Sequence, residues 1–244
     1  MALTNKLTDI ADAIRNKTGK TDLLTLEQMP IEIESIQGGG GSDSTFTALM
    51  NGETTVFHDS GITKIKDYTF YGGNNALQRY MTEVDLPNLI TIGNYGFYYQ
   101  SKIKNVNFPK VETIGQYGLC YNLNLQELKL PSIVTLNNYS IFTNDASANK
   151  TVITKIDLGD KLTSIGSNAM SYHPQLTAII IRATTPPTLS NSNAFTGSAA
   201  IKSGGGIYVP AAAVDAYKKA TNWSTWKNYI FAIEDYPEIC GEVA

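Results

Sequence analysis

Hydrophobic positions along the middle of the chain recur with a period far longer than that of a helix or a strand. Pro87, Pro109 and Pro131 are spaced by 22 and 22 residues, and each is preceded by a short alternating run: Val84-Asp85-Leu86, Val106-Asn107-Phe108 and Leu128-Lys129-Leu130. The same run returns as Ile156-Asp157-Leu158 and Ile179-Ile180-Ile181. A second apolar anchor, Ile65, Ile92, Ile114, Leu136 and Ile165, follows the same spacing, and five residues after each stands Phe70, Phe97, Leu119, Ile141 or Met170. Each unit therefore supplies one strand, one turn carrying an inward aliphatic anchor, and a second inward residue on the return path. A unit of this size cannot bury its apolar side alone, so successive units must stack and pair their strands in a parallel sheet. The longer gaps are read as insertions at 72–79 and 144–151.

The flanks follow other periods. Leu3, Leu7, Ile10 and Ile14 form one stripe at helical spacing, ended by Gly19. Thr25-Leu26-Glu27-Gln28 has the form of a capping box, with Leu26, Met29, Ile33 and Ile36 as the stripe of a second helix. Gly38-Gly39-Gly40-Gly41-Ser42 then reads as a flexible tether, of a kind found both in engineered fusions and in natural adaptor proteins. An Asn51-Gly52 pair between Thr45–Met50 and Glu53–Phe57 suggests a tight hairpin opening the main domain. At the other end, Ile207-Tyr208-Val209 predicts a strand and Pro210 opens a helix over 211–220. The segment with Trp223 and Trp226 is placed to cover the open edge of the last unit. The expected boundaries are 1–37 for a helical attachment or oligomerisation segment, 38–44 for the linker, 45–206 for the repeats and 207–244 for a strand-helix cap. The fold class is thus an α+β repeat: a helical hairpin, a tether, and a solenoid of about five to six units closed by a helical cap.

Composition narrows what such a chain does. Of 244 residues, 19 are basic and 22 acidic, for a net charge of −3, which gives no electrostatic footprint for nucleic acid. The first residues lack the apolar run of a secretory signal, and no stretch of about 18 apolar residues exists to span a membrane. Asn (20) and Thr (26) fill the polar quota, beside 14 Tyr, as suits turns and short strands better than long solvated helices. His58 and His173 have no accompanying cluster of Cys or carboxylates, and no nucleophile elbow, zinc helix or phosphate loop occurs. Neither a metal, a cofactor nor an enzymatic activity is expected. Cys120 reads as a small buried residue and Cys240 as a tail thiol without a role.

Two ladders remain as candidates for recognition. On the strands, Glu83, Asn105, Glu127, Lys155 and Ala178 form one outward row, and Asp85, Asn107, Lys129, Asp157 and Ile180 another. They serve either as a solvated face or as a recognition face, and both rows turn apolar toward the last units. The second ladder is tyrosine: Tyr68, Tyr95, Tyr117 and Tyr139 stand three residues after successive anchors, with Tyr71, Tyr98, Tyr99, Tyr121 and Tyr172 nearby. Such rings either take a glycan or protein surface against them or stack edgewise on one another and seal the flank.

The units Ile92-Gly93-Asn94-Tyr95-Gly96-Phe97 and Ile165-Gly166-Ser167-Asn168-Ala169-Met170 resemble the BspA-type leucine-rich repeats of bacterial surface and phage proteins, over roughly 62–195. Lys66 and Asn137 depart from the glycine of this pattern. The start, Leu7-Thr8-Asp9-Ile10-Ala11-Asp12-Ala13-Ile14, is similar to that of structural proteins of tailed phages, and the stretch from Ile207 to Ser224 resembles the close of repeat proteins in such phages. These resemblances imply a virion protein, of tail-fibre or head-fibre kind, assembled in the host cytoplasm. In that reading residues 1–37 attach it to other virion proteins and form a homo-oligomer, a trimer by preference, while the repeats contact a host-surface glycan or protein. Capsid decoration and a bacterial surface adhesin are the alternative roles, and a glycan-degrading enzyme has only the tyrosines in its favour.

Overall fold

The computed structural model describes residues 48–49, 53–72, 81–143 and 150–241, all within the compact unit Ser42–Ala244. The helices expected over residues 1–37, with Leu3, Leu7, Ile10, Ile14, Leu26, Met29, Ile33 and Ile36, and the tether lie outside the described residues, as do most of both insertions.

The long-period strands form as expected: β1 (Val56–His58), β3 (Glu83–Asp85), β5 (Asn105–Asn107), β7 (Glu127–Leu130), β9 (Lys155–Leu158) and β11 (Ala178–Ile181), continued by β13 (Gly206–Val209) and β14 (Ile230–Ala232). They pair in parallel as β1-β3-β5 and as β7-β9-β11-β13-β14. The register aligns Val84 with Val106, and Leu128 with Ile156 and Ile179, so the inward row lines up unit by unit. The anchors are not simple turns. Lys64–Ile65, Thr91–Ile92, Thr113–Ile114, Thr135–Leu136, Ser164–Ile165 and Thr188–Leu189 (β2, β4, β6, β8, β10 and β12) make a six-stranded parallel sheet of their own. The core comprises the inward residues of both sheets and of the return path, such as Val84, Leu86, Leu89, Ile92 and Phe97, all fully buried.

The glycine after the anchor has a steric cause. A Cβ on Gly93 would lie 2.5 Å from Asp67 Oδ1 and 2.7 Å from the Asp67 backbone N of the preceding unit. Asn137 occupies this position in a later unit without disturbing the register, because Thr135 and Leu136 still align with Thr113 and Ile114. Its amide donates to the Ile114 carbonyl at 3.0 Å. The expected hairpin at Asn51-Gly52 is not formed as read. Ala48 and Leu49, within the expected first strand, are helical, and Val56–His58 pairs with β3 in parallel. A bond from the Glu53 N–H to the Ala48 carbonyl, 2.8 Å, has the reach of a helix end and not of a two-residue hairpin. Asn51 and Gly52 themselves lie outside the described residues.

Asn and Thr are accounted for by bonds between units. Asn94 donates through Nδ2 to Asp67 and accepts from the Gln116 N–H, and Asn138 accepts from the Ser167 N–H at 2.8 Å. The hydroxyls of Thr82, Thr163 and Thr177 donate to the carbonyls of Thr55, Val134 and Thr154.

The chain after the repeats packs on their last units. The Trp223 indole donates to the Pro187 carbonyl (2.8 Å), the Trp226 indole to the Ser192 carbonyl (2.9 Å), and the Tyr217 hydroxyl to the Ala183 carbonyl (2.9 Å). Ala178 and Ile180, where the outward rows become apolar, are covered by Tyr208, Ile233 and Cys240. Cys240 is therefore not an idle tail thiol. It is buried in this cluster, burial pushes its pKa up to about 11, and its carbonyl accepts from Arg182, which also grips Asp157 with two bonds of 2.9 and 3.1 Å.

Candidate functional site

The tyrosine ladder departs most from ordinary backbone chemistry. Tyr68, Tyr95, Tyr99, Tyr117, Tyr121, Tyr139 and Tyr172 all have φ between 55° and 63°, the left-handed region that favours Gly or Asn. Each left-handed L-residue costs roughly 1–2 kcal/mol, so something in the stack must offset it. One contribution is the backbone. In this conformation the N–H groups of the return segment donate to the next unit: Tyr95 to the Gln116 carbonyl (2.9 Å), Phe97 to Gly118 (2.8 Å) and Tyr99 to Cys120 (2.8 Å). Hydrogen bonding between units thus continues across a segment that is not a strand.

The rings supply the other contribution. Tyr68, Tyr95, Tyr117 and Tyr139 stack with centroids 4.9, 4.8 and 5.0 Å apart and planes within 25° of parallel. That separation is the spacing of neighbouring strands, so the repeat itself sets the stack. A second file runs alongside: Tyr71 stacks on Tyr98 at 5.0 Å, and Tyr98 meets Tyr121 edge to face at 5.4 Å. Phe142 continues this file to Tyr172. The two files interlock edge to face through Tyr95–Tyr98 and Tyr139–Phe142. Offset and edge contacts of this kind add about 0.5–1.5 kcal/mol per pair beyond area burial.

The structure therefore brings Tyr68, Tyr95, Tyr98, Tyr99, Tyr117, Tyr121, Tyr139 and Tyr172 together with Tyr71 and Phe142 in one strip. It also bears on how the strip can be used. Ring faces inside the files are covered by neighbouring rings, and Tyr95, Tyr98, Tyr117, Tyr121, Tyr139 and Tyr172 are half-buried. Tyr68, Tyr71 and Tyr99, toward the N-terminal side, are the most exposed, at 57%, 48% and 37%. Burial raises the pKa of Tyr95, Tyr98, Tyr117 and Tyr121, and the neighbouring phenols add to it, so these groups stay neutral donors and acceptors at physiological pH.

Beneath the strip lies a column of buried polar residues not anticipated from sequence. Gln100, Asn122 and His173 each stand three residues after an inward return-path residue. Their N–H groups reach the Phe70, Phe97 and Ile141 carbonyls of the preceding units. The recurrence of a hydrogen-bonding residue three positions after Phe97, Leu119 and Met170 is the signal that marks them. His173 also holds the Thr151 hydroxyl at 3.0 Å through Nδ1, and desolvation lowers its pKa to about 4.

Two carboxylates of the outward strand rows have partners within the chain. Asp85 accepts from Asn107 at 2.7 Å and pairs with His58, and Asp157 is held by Arg182. Among the described residues, no group of three or more His, Cys, Asp or Glu side chains is placed to share a metal ion.

A family model described as the BspA type leucine rich repeat region matches residues 63–202 in six copies, more than half of the chain. The search of curated proteins gave no match to the chain. Among solved structures, the chain is similar to a leucine rich cell surface protein from Faecalibacterium prausnitzii A2-165, at 18% identity and a TM-score of 0.39, over 61% of this chain and 43% of that one. It is also similar to the pneumococcal vaccine antigen PcpA, at 14% identity and a TM-score of 0.25, over 71% of this chain and 76% of the antigen. The chain thus spans less than half the length of the first of these proteins.

Proposed function

Because the chain belongs to the BspA-type leucine-rich repeat family, we propose that it is a non-catalytic binding protein of a phage particle, whose repeats carry the aromatic strip to the host surface. The observation that carries this reading is the strip itself. Seven tyrosines in a left-handed backbone keep a row of phenols in register on one flank, and a solenoid needing only a sealed flank could use Asn or Gly there at lower backbone cost. Tyr presents a large amphipathic contact with little side-chain entropy to lose, which suits adhesion to glycan or protein. With the ring faces of the files covered, the partner meets ring edges and hydroxyls, a surface for many weak hydrogen bonds spread over several units. The start of the chain, similar to that of tailed-phage structural proteins, supports attachment to other virion proteins through residues 1–37, with Leu3, Leu7, Ile10 and Ile14 and Leu26, Met29, Ile33 and Ile36 as the apolar stripes of a homo-oligomeric, preferably trimeric, bundle. No cofactor, nucleic acid or membrane insertion enters this role.

Mass spectrometry of purified particles tests the location. The chain should be present in them, and deleting residues 1–37 should remove it from particles while leaving the repeat unit folded. Particles containing the chain that adsorb to cells normally after loss of the strip would assign it to capsid decoration. Recovery from the bacterial surface, and not from particles, would make it an adhesin of the BspA-like kind.

A further inference from the structure

A cavity of about 260 Å³ lies away from the strip, in the segment that covers the last repeats, lined in part by Lys202, Tyr208, Asn228, Tyr229, Phe231 and Tyr236. From its geometry we infer that it is a binding site for a single pyranose residue of a glycan. The inference rests on the surface-binding reading for the class of ligand and not for the place. Three rings wall it: Tyr208, Phe231 and Tyr236, with centroids 5.2 to 6.0 Å apart and planes inclined by 39° to 63°. Tyr208 is 2% exposed, yet its hydroxyl has no hydrogen-bond partner among the described residues and is not among the side-chain oxygens sealed from solvent, so it opens into the cavity. A buried phenol without a partner is a polar group waiting for one. Around the rim stand the Asn228 amide and the Lys202 ammonium, which rests over the Trp226 ring at 5.2 Å. Gly204 helps keep the mouth open: nothing lies within 4 Å of where a Cβ would stand.

The chemistry selects among ligands. The three rings touch one another, leaving no gap for a quaternary ammonium between them. A lone ammonium already engaged with an indole is a poor phosphate cradle. The volume falls below the ~300–1,000 Å³ of sites for drug-sized molecules. A pyranose has an apolar C–H face for the Phe231 and Tyr236 rings and a rim of hydroxyls for Tyr208, Asn228 and Lys202, and one ring fills the space.

Saturation-transfer NMR and calorimetry on the full chain, with free glucose, galactose, rhamnose, N-acetylglucosamine and glucuronate at millimolar concentration, test this. At least one sugar should bind. Tyr208→Phe, which keeps the buried ring, and Asn228→Ala, on the exposed rim, should each weaken it roughly five- to tenfold, the loss of one hydrogen bond. Lys161→Ala, at an exposed residue outside both the cavity and the strip, should leave it unchanged, and the pair Tyr95→Ala and Tyr117→Ala, measured alongside, separates binding at the strip from binding in the cavity. Absence of binding by all five sugars, or binding indifferent to both cap substitutions, overturns the site. A sugar that is lost only with the strip tyrosines would also overturn it, while supporting the strip.

Discussion

The repeats and the segment that follows them both depend on aromatic side chains and use them in opposite ways. In the repeats, Tyr68, Tyr95, Tyr117 and Tyr139 meet their own equivalents in the next unit at 4.8 to 5.0 Å. After the repeats, Tyr217, Trp223 and Trp226 meet unlike partners, such as Phe195 at 5.3 and 5.7 Å, and each spends its one polar hydrogen on a carbonyl of the last units. The first arrangement is translational and distributed, so any one ring has substitutes above and below. The second is singular. A solenoid can spare its polar tips for other molecules along its length, but at its end it must use them to close the sheet edge.

The largest effect that would break this comparison is at the singular end. Trp223→Ala removes a fully buried indole and its bond to Pro187, and should cost about 3–5 kcal/mol in urea unfolding; a loss below about 1 kcal/mol would mean that the edge is not closed there. Next comes the polar column. His173 is buried neutral, its pKa lowered to about 4 against the ordinary 6.5. The unfolded chain therefore takes up a proton first, and stability present above about pH 6.5 should fall as pH drops toward 4, by about 3 kcal/mol in total. His173→Gln, stable or not, should flatten that slope, and an unchanged slope would place its origin elsewhere. The smallest effect is in the distributed region. Tyr117→Asn relieves the left-handed backbone while losing two stacked neighbours, and should change stability by about 1 kcal/mol or less. Asn168 already holds φ 54° at the corresponding position of a later unit. Tyr117→Ala keeps the backbone strain and loses the ring, so it should cost more than Tyr117→Asn; the reverse order would show that φ is not what sets the balance.

The repeat period, the inward rows and the covering role of Trp223 and Trp226 can be read from spacing, because burial must recur wherever units stack. The six-stranded sheet at the anchors is harder to see. Its strands are two residues long, too short for an alternating pattern, and Thr91-Ile92 looks the same in a turn. The left-handed tyrosines are hidden for a different reason: Tyr is not a residue of that region, and only Asn168 in the same column hints at it. Cys240 looked like a tail because nothing in Pro237-Glu238-Ile239-Cys240 announces that Arg182, far away in sequence, holds its carbonyl.

The most direct test of the central claim is adsorption of the full chain to intact host cells, compared between the natural sequence and the pair Tyr95→Ala and Tyr117→Ala, with circular dichroism verifying that both are folded. The account expects a folded variant whose binding is weakened at least tenfold. A folded variant that binds as well as the natural chain would contradict it and leave those rings only the work of sealing the solenoid.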